Sequence, residues 1–227
     1  GKATLSAINT PGHSPDSITI VAKEGDETVL FTGDTLFIGD VGRPDLREKA
    51  GNMKAKRQEL AEAMYHTIQN KFTDLPDDAI VYPAHGAGSL CGKSMSEANS
   101  STLGNERMGN WAFKQQGQEQ FIDALLDNQS FIPSYFGFNV DVNKIGAENL
   151  RPGTAEVPFK MYAAAKGLIV DVREEAQFKN GHLMGSINIQ ATSEESKFET
   201  WLGAIIEPGE KFSLVINAPE DLETVLH

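Results

Sequence analysis

LFTGDTLFIGDVGRPDL, Leu30 to Leu46, is the stretch on which the reading of this chain turns. A strand-like run from Thr28 to Phe31 feeds directly into a polar loop that carries Asp34, and loops at strand ends commonly hold chemistry. Two other loops repeat the arrangement. TPGHSPDS, Thr10 to Ser17, follows the alternating segment Leu5 to Ile8 and carries His13. VYPAHGAGSLCGK, Val81 to Lys93, continues the apolar run Ala79 to Tyr82 and carries His85. Ser17 to Val21 reads as a further strand. In Met53–Phe72, the residues Leu60, Met64, Ile68 and Phe72 fall four apart. That spacing predicts an amphipathic helix whose role is structural.

His13, Asp34 and His85 form a candidate metal-binding set. A divalent transition metal takes neutral imidazole nitrogens and an ionised carboxylate, and a glycine beside each ligand lets the backbone turn sharply enough to aim them at one point. Taken singly, each residue has an ordinary reading. The histidines could be hydrogen-bonded loop residues, and Asp34 could close an Asx turn or cap a helix.

The composition bounds what else the protein does. The chain has 227 residues, 40% of them hydrophobic, enough for one large domain or two small ones. With 32 acidic residues against 20 basic ones, the net charge of -12 opposes attraction to nucleic acid and to anionic membrane surfaces. No apolar run approaches the roughly 20 residues of a membrane span, and GKATLSAINT lacks the layout of a secretory signal. The expected setting is cytoplasmic. A single cysteine, Cys91, excludes an internal disulfide framework. Composition leaves a homo-oligomer open.

Further along, Glu119–Leu126 predicts a second helix with Phe121, Ile122, Leu125 and Leu126 on one stripe, and Pro133 is expected to stop further helix. Asn139–Pro158, rich in Gly, Pro and Asn, reads as a connector. The pattern then restarts. It gives a short helical run over Met161–Lys166, a buried strand over Leu168–Val172, a strand near Ile187, a helix over Glu194–Leu202 and a strand over Phe212–Ile216. This alternation implies a small α/β domain, and the expected division is residues 1–150 and 151–227. Both ends of the sequence read as cut.

TPGH, then TGDTLF followed by GRPD, then PAHG, in that order, resembles the metallo-β-lactamase superfamily and, within it, the glyoxalase II and persulfide dioxygenase branch. The resemblance covers roughly Leu5 to Leu150. It implies an α/β fold, the C-terminal half of an αββα sandwich, with His13 and Asp34 as metal ligands. His85 is implied to line the same cleft, or to hold a second metal as in two-metal members. The family's H-x-H-x-D-H motif has no counterpart before His13, so the set as it stands is expected to be incomplete. LFIGDVGRPDL, PAHGAGSLCGK and SSTLGNER look closer to dioxygenase/rhodanese fusions than to glyoxalase II. The implied cofactor is Fe(II), with Zn as the alternative. The implied reaction is oxidation by dioxygen of a small thiol persulfide, such as glutathione or coenzyme A persulfide, to sulfite. A zinc-dependent thioester hydrolase of the glyoxalase II kind and a noncatalytic scaffold that docks sulfur carriers are the other readings.

An anionic carrier needs local positive charge in an acidic protein. Arg43 and Lys93 lie just beyond proposed ligands and are the candidate substrate contacts, with Arg107 a weaker third; Arg43 could instead be a buried partner of Asp40 or Asp45. Cys91 could reach the cleft rim and contact a persulfide, or be buried and inert. His66 and His227 have no assigned role.

GLIVDVREEAQFKNGHLMGSINI, Gly167 to Ile189, resembles the opening half of a rhodanese domain. Asp171, Arg173 and His182 are read as structural, tying the strand end to the following loop. Where an active rhodanese has its cysteine, this chain runs Asn217-Ala218-Pro219-Glu220-Asp221-Leu222. A truncated pseudo-rhodanese without the catalytic Cys is therefore expected.

Overall fold

The computed structural model describes residues 1–46, 53–115, 117–147, 157–159 and 167–226. The chain divides into two compact units, Gly1–Ile132 and Pro133–His227.

The first unit is built on a five-stranded sheet. Strands β1 (Thr4–Asn9), β2 (Ile18–Glu24) and β3 (Glu27–Gly33) form an antiparallel meander. A short ribbon, β4 (Leu36–Phe37) with β5 (Asp40–Val41), follows β3. Helix α1 (Met53–Asn70) comes next, and then β6 (Ile80–Pro83) pairs parallel to β3. Strand β7 (Ser101–Thr102) pairs antiparallel to β6 at the edge. Helices α2 (Leu103–Gly109), α3 (Trp111–Lys114) and α4 (Gln118–Leu126) complete the unit.

Strand alternation sets the core. Thr19, Val21, Thr28, Leu30, Thr32 and Val81 point inward and are buried, while Ile18, Phe31 and Tyr82 are exposed. Phe31 and Tyr82 stack on that outer side with ring centroids 6.0 Å apart. On α1 the buried stripe is Ala61, Met64, Thr67 and Ile68, with Phe72 just beyond the helix. Leu60, expected on that stripe, is only half-buried. At about 100° per residue Ala61 aligns with Met64 and Ile68 better than Leu60 does. Phe121 of α4 meets Tyr65 edge-on at 5.5 Å and Trp111 at 5.4 Å. Each large side chain fully removed from water here stabilises the unit by about 1.5–3 kcal/mol.

The second unit begins with helix α5 (Tyr135–Ile145). Two sequence expectations are corrected by it: Pro133 does not stop helix formation, and the stretch from Asn139 is helical as far as Ile145. The carbonyl of Pro133 accepts the Phe136 N–H at 3.1 Å, so the proline sits just before the first turn, where its missing N–H costs nothing. The helical run expected over Met161–Lys166 lies outside the described residues.

Strands β8 (Leu168–Asp171), β9 (Ser186–Asn188) and β10 (Phe212–Val215) form a parallel sheet in the order β10-β8-β9. The connections are α6 (Glu175–Asn180) and α7 (Phe198–Ile205), and α8 (Asp221–Leu226) follows β10. The helix expected over Glu194–Leu202 is broken. A 3₁₀ turn spans Glu194–Ser196, Lys197 is left-handed with φ 49°, and α7 starts only at Phe198. Val170, Val172, Ile189 and Ile206 are the buried core.

The carboxylate of Asp171, fully buried, accepts from Arg173 Nε at 2.9 Å and Nη2 at 2.6 Å, and Nη2 also reaches the Gly181 carbonyl at 2.9 Å. His182 Nδ1 bonds to the Phe178 carbonyl at 2.9 Å while its ring stacks on Phe178 at 4.1 Å. These bonds close the loop after α6 onto the end of β8. Beyond β10, Gln177 Nε2 donates to Asn217 Oδ1 at 3.0 Å, and the Ala218 N–H donates to Asp221 Oδ2 at 3.1 Å.

Candidate metal centre

Three loops at one end of the first sheet converge, and small polar contacts hold them together. Thr10 Oγ1 lies 3.2 Å from Thr19 Oγ1 and 3.1 Å from Thr35 Oγ1, so a buried knot of threonines joins the His13 loop to the Asp34 loop. The TPGH turn rests on α1. Thr67 Oγ1 donates to the Pro11 carbonyl at 2.7 Å, and a Cβ on Gly12 would stand 2.7 Å from Met64 Cβ. Gly42 has the same function in GRPD. A Cβ there would lie 1.9 Å from the Asp34 carbonyl oxygen, so only glycine lets that loop pass under Asp34.

That passage brings the backbone of Arg43 beneath His13. His13 Nδ1 lies 2.8 Å from the Arg43 carbonyl oxygen. A carbonyl only accepts, so Nδ1 carries a hydrogen and the ring is turned with Nε2 toward the cleft. Nε2 faces Asp34 Oδ2 at 3.8 Å. Two donors bound to one ion at about 2.0–2.2 Å each lie roughly 3–4 Å apart, so this pair has the spacing of co-ligands.

His85 comes to the other side of the same carboxylate, with Nδ1 2.8 Å from Asp34 Oδ1. Oδ1 is closed off from solvent yet has no aligned hydrogen bond among the described residues. A buried carboxylate oxygen and an imidazole nitrogen side by side make a donor pair that suits a cation. Cys91 joins this side: ligand atoms of Asp34, His85 and Cys91 all lie within 4.8 Å of one another. Burial, reinforced by the charge of Asp34, pushes the Cys91 thiol above its ordinary pKa, while Ser89 and Arg43 pull it down. The structure thus brings together His13, Asp34, His85 and Cys91.

It does not bring the cations to the cleft. Arg43 is buried, with Nε 2.6 Å and Nη2 2.8 Å from the two oxygens of Asp45, and Nη1 donates to the Leu90 carbonyl at 3.3 Å. Its own N–H donates to the Cys91 carbonyl at 3.1 Å. Of the two roles open to Arg43, the geometry matches the buried partner of Asp45 and leaves no edge for a substrate. Lys93 Nζ donates to the carbonyls of Ala124 and Asp127, the latter at 3.0 Å, capping the end of α4. Arg107 bonds Asp77 and reaches the carbonyls of Phe72 at 2.5 Å and Leu75 at 3.0 Å. His66 is exposed, edge-on to Tyr65.

The sequence marked Asp40 only as a possible partner of Arg43, a place that Asp45 takes instead. Its buried carboxylate accepts from the Val41 N–H at 2.9 Å, Trp111 Nε1 at 2.8 Å and the N–H groups of Lys93 and Ser94 at 2.7 Å each. It therefore anchors the loop that carries His85 and Cys91. A Gly-Asp pair before a second Gly is the only sequence signal, and it is weak.

Residues 1–85 match the metallo-beta-lactamase superfamily, and residues 159–222 match the rhodanese-like domain. A crystal structure of a metallo-beta-lactamase from Staphylococcus aureus superposes with a TM-score of 0.76 at 32% identity, covering 98% of this chain and 63% of that one. This is a metallo-β-lactamase fold followed by a rhodanese-like domain. In the metallo-β-lactamase part, the chain is 35% identical over 85 residues to the human protein "Persulfide dioxygenase ETHE1, mitochondrial", a match covering 37% of this chain and 29% of that protein. It is also 35% identical over 86 residues to "Probable metallo-hydrolase YqgX" of Bacillus subtilis, covering 38% of this chain and 35% of that protein. The chain thus spans about a third of the length of these curated relatives. No helix among the described residues is long and apolar enough to cross a membrane.

Proposed function

We propose that this chain belongs to a non-haem iron enzyme that oxidises a low-molecular-weight persulfide with dioxygen, giving sulfite and the free thiol: RSSH + O₂ + H₂O → RSH + SO₃²⁻ + 2 H⁺. One observation carries the reading. His13, oriented by the bond from its Nδ1 to the Arg43 carbonyl, turns Nε2 toward Asp34 at 3.8 Å in a domain similar to a persulfide dioxygenase and joined to a rhodanese-like domain.

His13 and Asp34 would hold the metal, with His85 on the far side of the carboxylate. Iron(II) would supply open coordination positions and the redox chemistry that dioxygen requires. The protein's own residues supply orientation and charge. Asp34 gives the negative charge that balances the cation. The Arg43–Asp45 pair keeps the carbonyl under His13 in place, and Asp40 holds the loop that forms the rim. Substrate recognition falls to groups other than Arg43, because its guanidinium is fully engaged. The coenzyme or peptide part of the thiol is therefore left to exposed surface around His85 and Cys91.

The match to a probable metallo-hydrolase favours a second reading, a zinc thioester hydrolase. Oxygen-electrode assays of the full-length protein with glutathione persulfide and coenzyme A persulfide, beside anaerobic assays with an acylglutathione thioester, separate the two. The dioxygenase reading requires persulfide-dependent oxygen uptake that tracks bound iron. Thioester turnover without oxygen uptake overturns it.

A further inference from the structure

The second unit holds a cavity of its own, with a volume of about 220 Å³. It lies at the carboxyl end of β9, the edge strand of the parallel sheet, where Asn188, Ile189 and Gln190 meet Ser196 of the 3₁₀ turn and Trp201 and Ile205 of α7. Open parallel sheets bind ligands outside the carboxyl ends of their strands. We propose that this cavity binds an adenine-type heterocycle, an uncharged flat ring that carries an N–H donor beside an acceptor.

Helix α7 leaves an aromatic face for it. Phe198 and Leu202 pack on the core around Val170 and Val172, and Gly203 sits against the Tyr135 ring, where a Cβ would stand 3.2 Å from Cδ1. Trp201 and Ile205, four residues apart, stay 54% and 51% exposed and line the cavity together with the buried Ile189. A large aromatic ring left half in water beside a cavity is a ready stacking surface. The backbone is bent to form this wall. Lys197 is left-handed at φ 49° between Ser196 and the first turn of α7, and such strain in a residue other than glycine collects at binding sites.

The polar rim supplies a complementary pair. Asn188 Nδ2 donates to the carbonyls of Asp171 at 2.8 Å and Arg173 at 2.9 Å, so the polar atom it has left is the acceptor Oδ1. Gln190 is engaged the other way round: its Oε1 accepts the Glu175 N–H at 3.1 Å, and the donor Nε2 has no partner among the described residues. One acceptor and one donor complement the exocyclic N–H and ring nitrogen of adenine, the edge that asparagine and glutamine side chains read in nucleic acids. No charged residue lines the cavity, and the exposed charges described beside it on the 3₁₀ turn and α7 are Glu195 and Glu199 against Lys197. In a chain of net charge -12 this disfavours an anionic group and leaves a neutral ring as the fitting ligand. Drug-sized sites span roughly 300–1,000 Å³, so this smaller cavity suits one ring system, with a ribose and anything attached to it left in solvent.

Binding here is independent of the reaction proposed for the metal centre. The test uses the full-length protein labelled with 5-fluorotryptophan, in which the Trp201 fluorine resonance is assigned from its absence in Trp201→Phe. Adenosine should shift that resonance saturably, with half-saturation at or below about 1 mM, and calorimetry should give the same affinity. N6,N6-dimethyladenosine stacks equally but lacks the N–H, and should bind at least about tenfold more weakly. Gln190→Glu keeps the oxygen that accepts from Glu175 and replaces only the free donor, while Trp201→Ala removes the wall. Each should lower adenosine affinity at least about tenfold with an unchanged circular dichroism spectrum. Coenzyme A carries the same ring on phosphates and tells the two sources of adenine apart. Affinity equal to that of adenosine assigns the cavity to a carrier-borne ring, and weaker binding that recovers with added salt assigns it to a free nucleoside. An adenosine titration that leaves the Trp201 resonance unmoved overturns the proposal, as does a calorimetric affinity unchanged in Trp201→Ala or in Gln190→Glu.

Discussion

The Nδ1 of His13 is bound to the backbone carbonyl of Arg43 at 2.8 Å, while the Arg43 side chain is locked to Asp45 through bonds of 2.6 and 2.8 Å. A proposed ligand is thus oriented by the main chain of a residue whose own side chain is pinned elsewhere. Arg43→Met removes the pin and leaves the buried Asp45 carboxylate unpaired, which should cost about 3–5 kcal/mol in urea denaturation. Because the carbonyl then loses its support, metal affinity should fall about 10–100-fold in a competition assay with a chelator. Arg43→Lys should rescue little, since an ammonium cannot reproduce the two parallel bonds. Wild-type stability in Arg43→Met would show that the pair carries no structural weight.

Asp34→Asn keeps the side-chain volume and removes the charge that balances the cation. The full-length protein should lose iron retention and oxygen consumption, while its thermal melt stays close to wild type. Metal analysis after gel filtration reads the first effect directly. Stoichiometric iron with normal turnover would mean that Asp34 is not a ligand.

Gly42→Ala places a methyl carbon 1.9 Å from the Asp34 carbonyl oxygen, so the GRPD loop must shift. Stability should drop by about 1–3 kcal/mol or more, and metal affinity should drop with it, because the same loop carries the Arg43 carbonyl. Gly86→Ala is the matched control. A Cβ on Gly86 meets nothing within 4 Å, and its effect should stay within about 0.5 kcal/mol. Equal stabilities for the two variants would refute the close-approach account.

Asn217→Cys or Ala218→Cys should not create thiosulfate:cyanide sulfurtransferase activity. A rhodanese persulfide needs converging amides and positive charge, yet here the Ala218 N–H is already taken by the Asp221 carboxylate at 3.1 Å and Pro219 offers no amide. Glu220 and Asp221 also disfavour a thiolate beside them. Turnover by a folded single variant would mean that the loop is ready for anions after all.

The strands of the first sheet and helix α1 were legible because alternation and fourfold spacing are local properties of the chain. The loops of His13, Asp34 and His85 were legible as loops for the same reason. Helix α5 was hidden: Phe136, Phe138, Val140 and Val142 alternate with period two and a glycine sits among them, so local pattern argued against a helix. Helix α2, LGNERMG, buries only Leu103 and Glu106, too little to mark a face. What Arg43, Lys93 and Arg107 do was beyond local reading, because each finds its acceptors on segments distant in sequence. The approach of Cys91 to Asp34 depends in the same way on Asp40 and Arg43 folding the later loop back.

Helix α1 contributes no candidate ligand, yet the TPGH turn is moulded on it, with Gly12 pressed against Met64 and Pro11 bonded to Thr67. The helix therefore acts as a jig for the metal loop. A longer side chain at Met64, or the loss of the Thr67 hydroxyl, would tilt His13 without touching the cleft. Anyone wishing to retune which ion the centre prefers, or how tightly it is gripped, can do so from the back of the helix and leave every donor atom unchanged.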